Sequence, residues 1–497
     1  MHILFHHTYK RGSLLLMVLV YMAIGVSAVT AFVGWGVTLN KVSQNLIYKE
    51  QALQIAEAGI EYYRWHLAHD SDDFQDGTGS EGPYVHDYKD KNEIKIGEFE
   101  LSITPPAVGS TKVIVESKGS LVVAPTITRS IRVTLAKPSF AKYSVAANED
   151  IRFGEGTVTY GPMHSNGGIR FDGVSNNVVT SALVSYNDPD HTGSNEYGVH
   201  THIKPPPQTG SYTEAVSAES PPFSMATRSD VFVGGRNVGV PAIDFNSITA
   251  DLATLKTTAQ SAQGVYLAPS GKFGYHLVLK TNDTFDIYKV KKMYSQGSCT
   301  DQTNSGVSGQ EDWGTWSIKS GNGETFVKNE PIPSSGVVFV EDDVWVDGTI
   351  NTAKITIAAG TFPVNAVTWK SITLNNDLKY TNFDGQDVIG LIAQNNINIG
   401  LVSDTDLEID AALIAQNGRV GRYYYDSSCS PYHNRNSISL FGMIGTNKRY
   451  GFAYTGSSST GYDTRTITYD ANLLYAPPPS FPLTSDFYTT LLWEQLD

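Results

Sequence analysis

Apolar and polar positions alternate along this chain in three different rhythms. From Gly12 to Asn40 there is no charged residue at all (GSLLLMVLVYMAIGVSAVTAFVGWGVTLN). A run this long and apolar is enough to span a bilayer as a helix, which takes about 20 residues. The pattern then turns amphipathic without a break. Leu46, Leu53, Ala56, Ile60, Tyr63 and Leu67 step by sevens, threes and fours, and the first proline is Pro83. That is one apolar stripe on a continuing helix. The pattern therefore predicts one helix over 13–69, apolar all round over 13–39 and amphipathic over 40–69. Gly25, Gly34 and Gly36 are its soft points.

A polar, turn-rich stretch follows, and then the period falls to two. IGEFELSITP, TKVIVESKGSLVV and TITRSIRVTLAKP read as three strands of a small antiparallel sheet over 94–138. Beyond Lys142 the third rhythm is a degenerate repeat. VAANEDIRFGEG (145–156), PMHSNGGIRFDG (162–173), LIAQNNINIG (391–400), LIAQNGRVGR (413–422) and MIGTNKRYGF (443–452) share one shape: small or apolar residues, an asparagine, a turn, a second apolar run. The asparagines are Asn148, Asn166, Asn395, Asn417 and Asn447. Steps near 20 residues match one coil of a parallel β-solenoid, with asparagine suited to the corner. This assigns 142–204 and 331–470 to solenoid-like repeats. Residues 205–330 read as an inserted α+β region, with a helix beginning after Asn246 or Ser247 and a hairpin turning at Asn282-Asp283. Residues 471–497 read as a C-terminal tail, free or laid along the body.

The fold class expected is thus mostly β with one long N-terminal helix: a β-sheet head, then a parallel β-solenoid with an inserted α+β region. Composition agrees. Charged residues are only 17% of 497, with 45 Gly and 27 Tyr, which suits turn-rich β surface architecture. The net charge of −14 disfavours bulk nucleic-acid binding, because an acidic surface repels phosphate.

The start of the chain, MHILFHHTYKRG, is short, polar and positive. Positive charge keeps residues 1–12 on the cytoplasmic side and sends the body across the membrane. Lys10-Arg11-Gly12 before an apolar helix resembles the cleavage site of prepilins, and AEAGIEYYRW (Ala56–Trp65) resembles the AEAGIE segment of PilX-type minor pilins. The resemblance covers about residues 10–68. It implies a 1–12 leader, cleavage between Gly12 and Ser13 by prepilin peptidase, and a helix whose Leu14, Leu15, Leu16 and Met17 pack in a filament core. It implies other pilin subunits, the pilus assembly machinery and the membrane as partners. It places the protein in the inner membrane before assembly and on the pilus or cell surface after, with an extracytoplasmic body. Major pilins carry glutamate at the fifth mature position; here that position is Met17, which favours a minor or tip subunit with an adhesive role.

The chemistry readable elsewhere is sparse. There is no nucleophile elbow, phosphate loop or dinucleotide fingerprint, and the reading is of a non-enzyme without a cofactor. Asp188, Asp190, His191, His200 and His202 gather within fifteen residues, and the alternation of His200 and His202 faces them one way on a strand. These form a candidate metal set against a plain polar loop. Acidic clusters at Glu341, Asp342, Asp343 and Asp347, and at Asp404, Asp406, Glu408 and Asp410, are candidates for calcium or for a solvated strand face. Cys299 and Cys429 either pair in an exported body or stay as two free thiols. The rival function is a membrane-anchored β-helix that binds or cleaves polysaccharide; surface glycans are candidate ligands on either reading.

Overall fold

The computed structural model describes residues 13–107, 110–190, 193–213, 217–245, 251–300, 310–454, 459–485 and 487–496. The leader 1–12, with Gly12, and the helix-start candidates Asn246 and Ser247 lie outside them. The chain divides into two compact units. One is Met1–Pro105, Val113–Leu135 and Thr490–Asp497; the other is Pro106–Lys112 and Ala136–Thr489.

In the first unit, helix α1 runs unbroken over Ser13–His69. At 1.5 Å per residue its 57 residues extend roughly 85 Å. Its amphipathic half lies on an antiparallel sheet of β1 (Tyr84–Lys89), β2 (Lys95–Thr104), β3 (Lys112–Leu121) and β4 (Ala124–Ala136), completed beside β4 by a C-terminal strand, Thr489–Leu496. Ala52, Ile55, Ala56, Ile60, Tyr63 and Leu67 are buried on the helix, and Phe99, Leu101, Val113, Val115, Ile131 and Val133 on the sheet. Each large side chain so buried contributes about 1.5–3 kcal/mol. Leu46 belongs to the sequence stripe but is exposed, so packing starts one and a half turns later than the periodicity suggests. The turn-rich 70–93 stretch supplies β1, and the 471–497 tail supplies an edge strand. The pattern shows only a turn-rich stretch in the first and a tail, free or laid along the body, in the second, because an edge strand needs apolar residues on one face only.

The second unit is built of parallel ladders. One ladder passes through Val338↔Ile357↔Leu391↔Leu413↔Ile444↔Val145↔Met163↔Val179. Its steps are uneven: 19, 34, 22 and 31 residues from Val338 to Ile444, then 18 and 16 from Val145 to Val179. A single step near 20 residues is therefore not the rule. Nor does stacking follow chain order, since the segment at Val145 stacks on the segment at Ile444.

The expected asparagine stacking does occur at this junction. Asn148 Nδ2 donates to Asn447 Oδ1, and Asn166 Nδ2 to Asn148 Oδ1, each at 2.8 Å. The strands carry apolar residues on both faces. Val338, Ile357, Leu391, Leu413 and Ile444 fill the interior, while Phe339, Ala358, Ile392 and Ile414 lie on the opposite face. Helix α2 (Asp251–Gln260) covers part of that face with Leu252, Leu255 and Ala259. This double burial explains the continuous runs VVFV and LIA. Parts of 205–330 join the ladders themselves: Val265–Leu267 pairs with Val337–Val340, and Gly274–Lys280 with Val344–Ile350, both parallel. The hairpin at Asn282-Asp283 is present, with Asp283 at φ 59°.

Candidate functional site

Two places in the molecule are candidates for a role beyond packing. The first is the apolar half of α1. It is the one described helix long and apolar enough to cross a membrane. Leu14, Leu15, Leu16 and Met17 are 60–73% exposed, and the side chains stay exposed to Ile47. Ser13 begins the helix. The helix-sheet contact farther along explains the small residues of the AEAGIE segment. A Cβ on Gly59 would stand 2.3 Å from Ser117 Oγ and 2.9 Å from the Phe99 ring. Across from it, a Cβ on Gly119 would stand 2.1 Å from the Ala52 carbonyl oxygen. Helix and strand touch backbone to backbone there.

The second is a buried polar cluster in the other unit. The short strand Glu196–Tyr197 pairs antiparallel with Ser185–Tyr186, and Val199–His200 pairs parallel with the strand Ile169–Phe171. Gly198 makes the passage between them, since a Cβ there would lie 1.9 Å from the Leu183 carbonyl oxygen. The result brings Asp188, Glu196, His200 and His202 together, each at most 2% exposed. One ligand-type atom from each lies within 4.8 Å of the others. Glu196 bridges two imidazoles: Oε1 is 2.8 Å from His202 Nε2 and Oε2 is 3.0 Å from His200 Nε2. Asp188 Oδ2 is 3.5 Å from His200 Nε2 and 3.7 Å from Arg170 Nη1. Burial alone would lower the His200 titration point, yet the carboxylates of Asp188 and Glu196 raise it. Burial would raise Asp188, but His200 and the Asp190 N–H hold it well below the ordinary range.

Of the residues picked from sequence, Asp188, His200 and His202 meet here. Asp190 does not; its carboxylate accepts from Arg449 Nη1 at 2.9 Å and faces Arg152 at 3.5 Å. His191 lies outside the described residues. Glu196 was missed, although the alternation joining His202 to His200 runs back through Gly198 to it.

The acidic clusters disperse into separate internal bonds. Glu341 pairs with Lys256, Asp342 with Lys370 and Ser270, and Asp343 accepts from Ser371 N. Asp347 and Glu324 flank His276 at 3.0 and 2.7 Å. Burial would lower His276, and these two carboxylates raise it to about 9. Asp404 accepts from Asp377 N, Asp406 from Ser437 Oγ, and Asp410 from Tyr380 N, while Glu408 lies 3.6 Å from Lys379. Cys299 and Cys429 are joined in a disulfide with their Cα atoms 4.4 Å apart.

No family model and no curated protein matches the chain. Among solved structures, the chain is similar to the competence-associated pilin ComZ from Thermus thermophilus. The alignment covers 90% of this chain and 97% of that one at 12% identity, with a TM-score of 0.28. A superposition at that score fixes neither fold nor function.

Proposed function

We propose that the chain is a minor or tip subunit of a type IV pilus, cut after Gly12, with a structural and adhesive role rather than a catalytic one. One observation carries the reading: a single 57-residue helix is apolar and exposed on every side through its first half, then sinks one face into a sheet through the AEAGIE segment. A free-standing exposed helix of this composition is stable only in lipid or against other helices. A filament core supplies the second after the membrane supplies the first. The disulfide supports an exported body, since such bonds persist in oxidising compartments. The dispersal of the acidic clusters into internal bonds supports a structural body. Its partners on this reading are other pilin subunits, prepilin peptidase and the assembly machinery, with surface glycans as ligands of the exposed face.

A photo-crosslinking residue placed at Met17 or Ile24 tests the assembly claim. In sheared pili the expected product is a covalent adduct with another pilin. Recovery of the chain only from the membrane fraction, with no such adduct, contradicts it.

A further inference from the structure

We infer that Asp188, Glu196, His200 and His202 bind one divalent transition-metal ion of the zinc type, which ties Asp188 to the Glu196–His202 segment. The inference stands apart from the pilus reading and rests on how the imidazoles are held.

His202 presents Nδ1 to the Tyr212 carbonyl oxygen at 3.1 Å. A carbonyl only accepts, so Nδ1 carries a proton, and in the neutral ring Nε2 is then free to act as a ligand toward the cluster. An outward N–H bond of this kind is the usual second contact of a metal-bound histidine. Nε2 lies 2.8 Å from a carboxylate oxygen of Glu196, a contact bridged either by the proton of an imidazolium or by a cation.

His200 repeats the problem. It is wholly buried, and neither ring nitrogen has a hydrogen-bond partner. Its Nε2 lies 3.0 Å from Glu196 Oε2 and 3.5 Å from Asp188 Oδ2, beside two carboxylates at once.

A single divalent ion satisfies both rings and both carboxylates at once. Ligand bonds of about 2.0–2.2 Å in a tetrahedron set ligand atoms roughly 3.3 Å apart. The contacts of 2.8, 3.0 and 3.5 Å straddle that edge, and all four ligand atoms lie within 4.8 Å of one another, so the widest pair draws in as the ion binds. Two imidazoles select zinc, copper, iron or nickel over calcium, which takes six to eight oxygens. With all four residues at most 2% exposed, the site has the closed character of a structural centre rather than a catalytic one. Asp188 precedes the strand Glu196–Tyr197 and His202 follows the strand Val199–His200, so the ion would hold these parts of the chain together.

The test uses the full-length chain in detergent, without a histidine tag, stripped by a chelator and titrated with Zn²⁺ against a chromophoric competitor. Bound metal is counted by plasma mass spectrometry after gel filtration. One ion per chain is expected, with a higher melting temperature when loaded. Altering a second contact of a metal ligand typically costs about 10–100-fold in affinity, so His200→Gln or Glu196→Gln should weaken binding by more than about 100-fold. Asp190→Asn should keep it. Failure of the folded wild type to take up Zn²⁺ overturns the inference, as does equal binding by His200→Gln, or loss in Asp190→Asn as large as in His200→Gln. If the variants do not fold, Co²⁺-loaded wild type decides: intense four-coordinate visible bands with two shifted imidazole N–H resonances support the site, and a weak six-coordinate spectrum or no uptake overturns it.

Discussion

Asp410 shows how a single carboxyl reports on the ladder around it. It is 2% exposed, accepts the Tyr380 N–H at 2.9 Å, and burial pushes it up to about 7. In an unfolded chain it titrates near 4. The folded state therefore holds more protons between about pH 4 and 7, and its stability falls as pH rises through that window. Asp343, pushed up by burial to about 6, acts in the same direction. So does His276: at about 9 in the fold, it adds stability that is full below about pH 6.5 and lost as pH rises toward 9. The body is thus expected to melt lower at pH 9 than at pH 5. Asp410→Asn keeps an acceptor for Tyr380 and removes the charge. It should raise the melting temperature by several degrees at pH 8 and by less at pH 5. Equal shifts at both pH values would mean that burial of the charge is not the cause. The acidic clusters looked like ligand sets because sequence spacing shows which carboxylates are close along the chain. It does not show that Lys256, Lys370 and Tyr380 arrive from elsewhere to engage them.

At the scale of elements, α1 and its sheet were the most legible part of the molecule. The helix runs over the 13–69 span that its periodicity predicts, because both halves carry local, unbroken signals. What the pattern did not give was where packing begins. That is set by glycines on the partner strands: Gly119 against the Ala52 carbonyl and Gly97 against Ile55, whose Cδ1 would lie 2.5 Å from a Cβ there. Gly119→Ala forces backbone from backbone and is expected to cost about 1–3 kcal/mol, as overpacking does. The readout is faster hydrogen exchange at the amides of residues 52–67 in the detergent-solubilised chain. Gly34→Ala, with nothing within 4 Å, should leave those amides unchanged. Matching effects from the two would mean that the close approach is not what holds the helix. The strand Thr489–Leu496 was illegible for a different reason. It is half exposed along its length, and a strand whose inward face is short leaves no alternation to read.

At the scale of the whole molecule, the change of apolar period along the chain shows the class, mostly β with one long N-terminal helix, but not the stacking order. The pairing of Ile444 with Val145 and the bond from Asn148 to Asn447 join segments about 300 residues apart. Nothing local marks such a closure, since each repeat fits any neighbour of the same shape. The disulfide from Cys299 to Cys429, 130 residues apart in sequence, was left open for the same reason.

Entry into a pilus begins, on this reading, with the cut between Gly12 and Ser13. Mapping the N-terminus of the mature protein by mass spectrometry, in cells with and without prepilin peptidase, tests it most directly. The account predicts a chain that starts at Ser13 with a methylated amine, and loss of that form when the peptidase is absent. A chain that keeps Met1 in both cells, or that is cut as a signal peptide at the small residues of GVSAVTA, after Ala28 or Ala31, contradicts it.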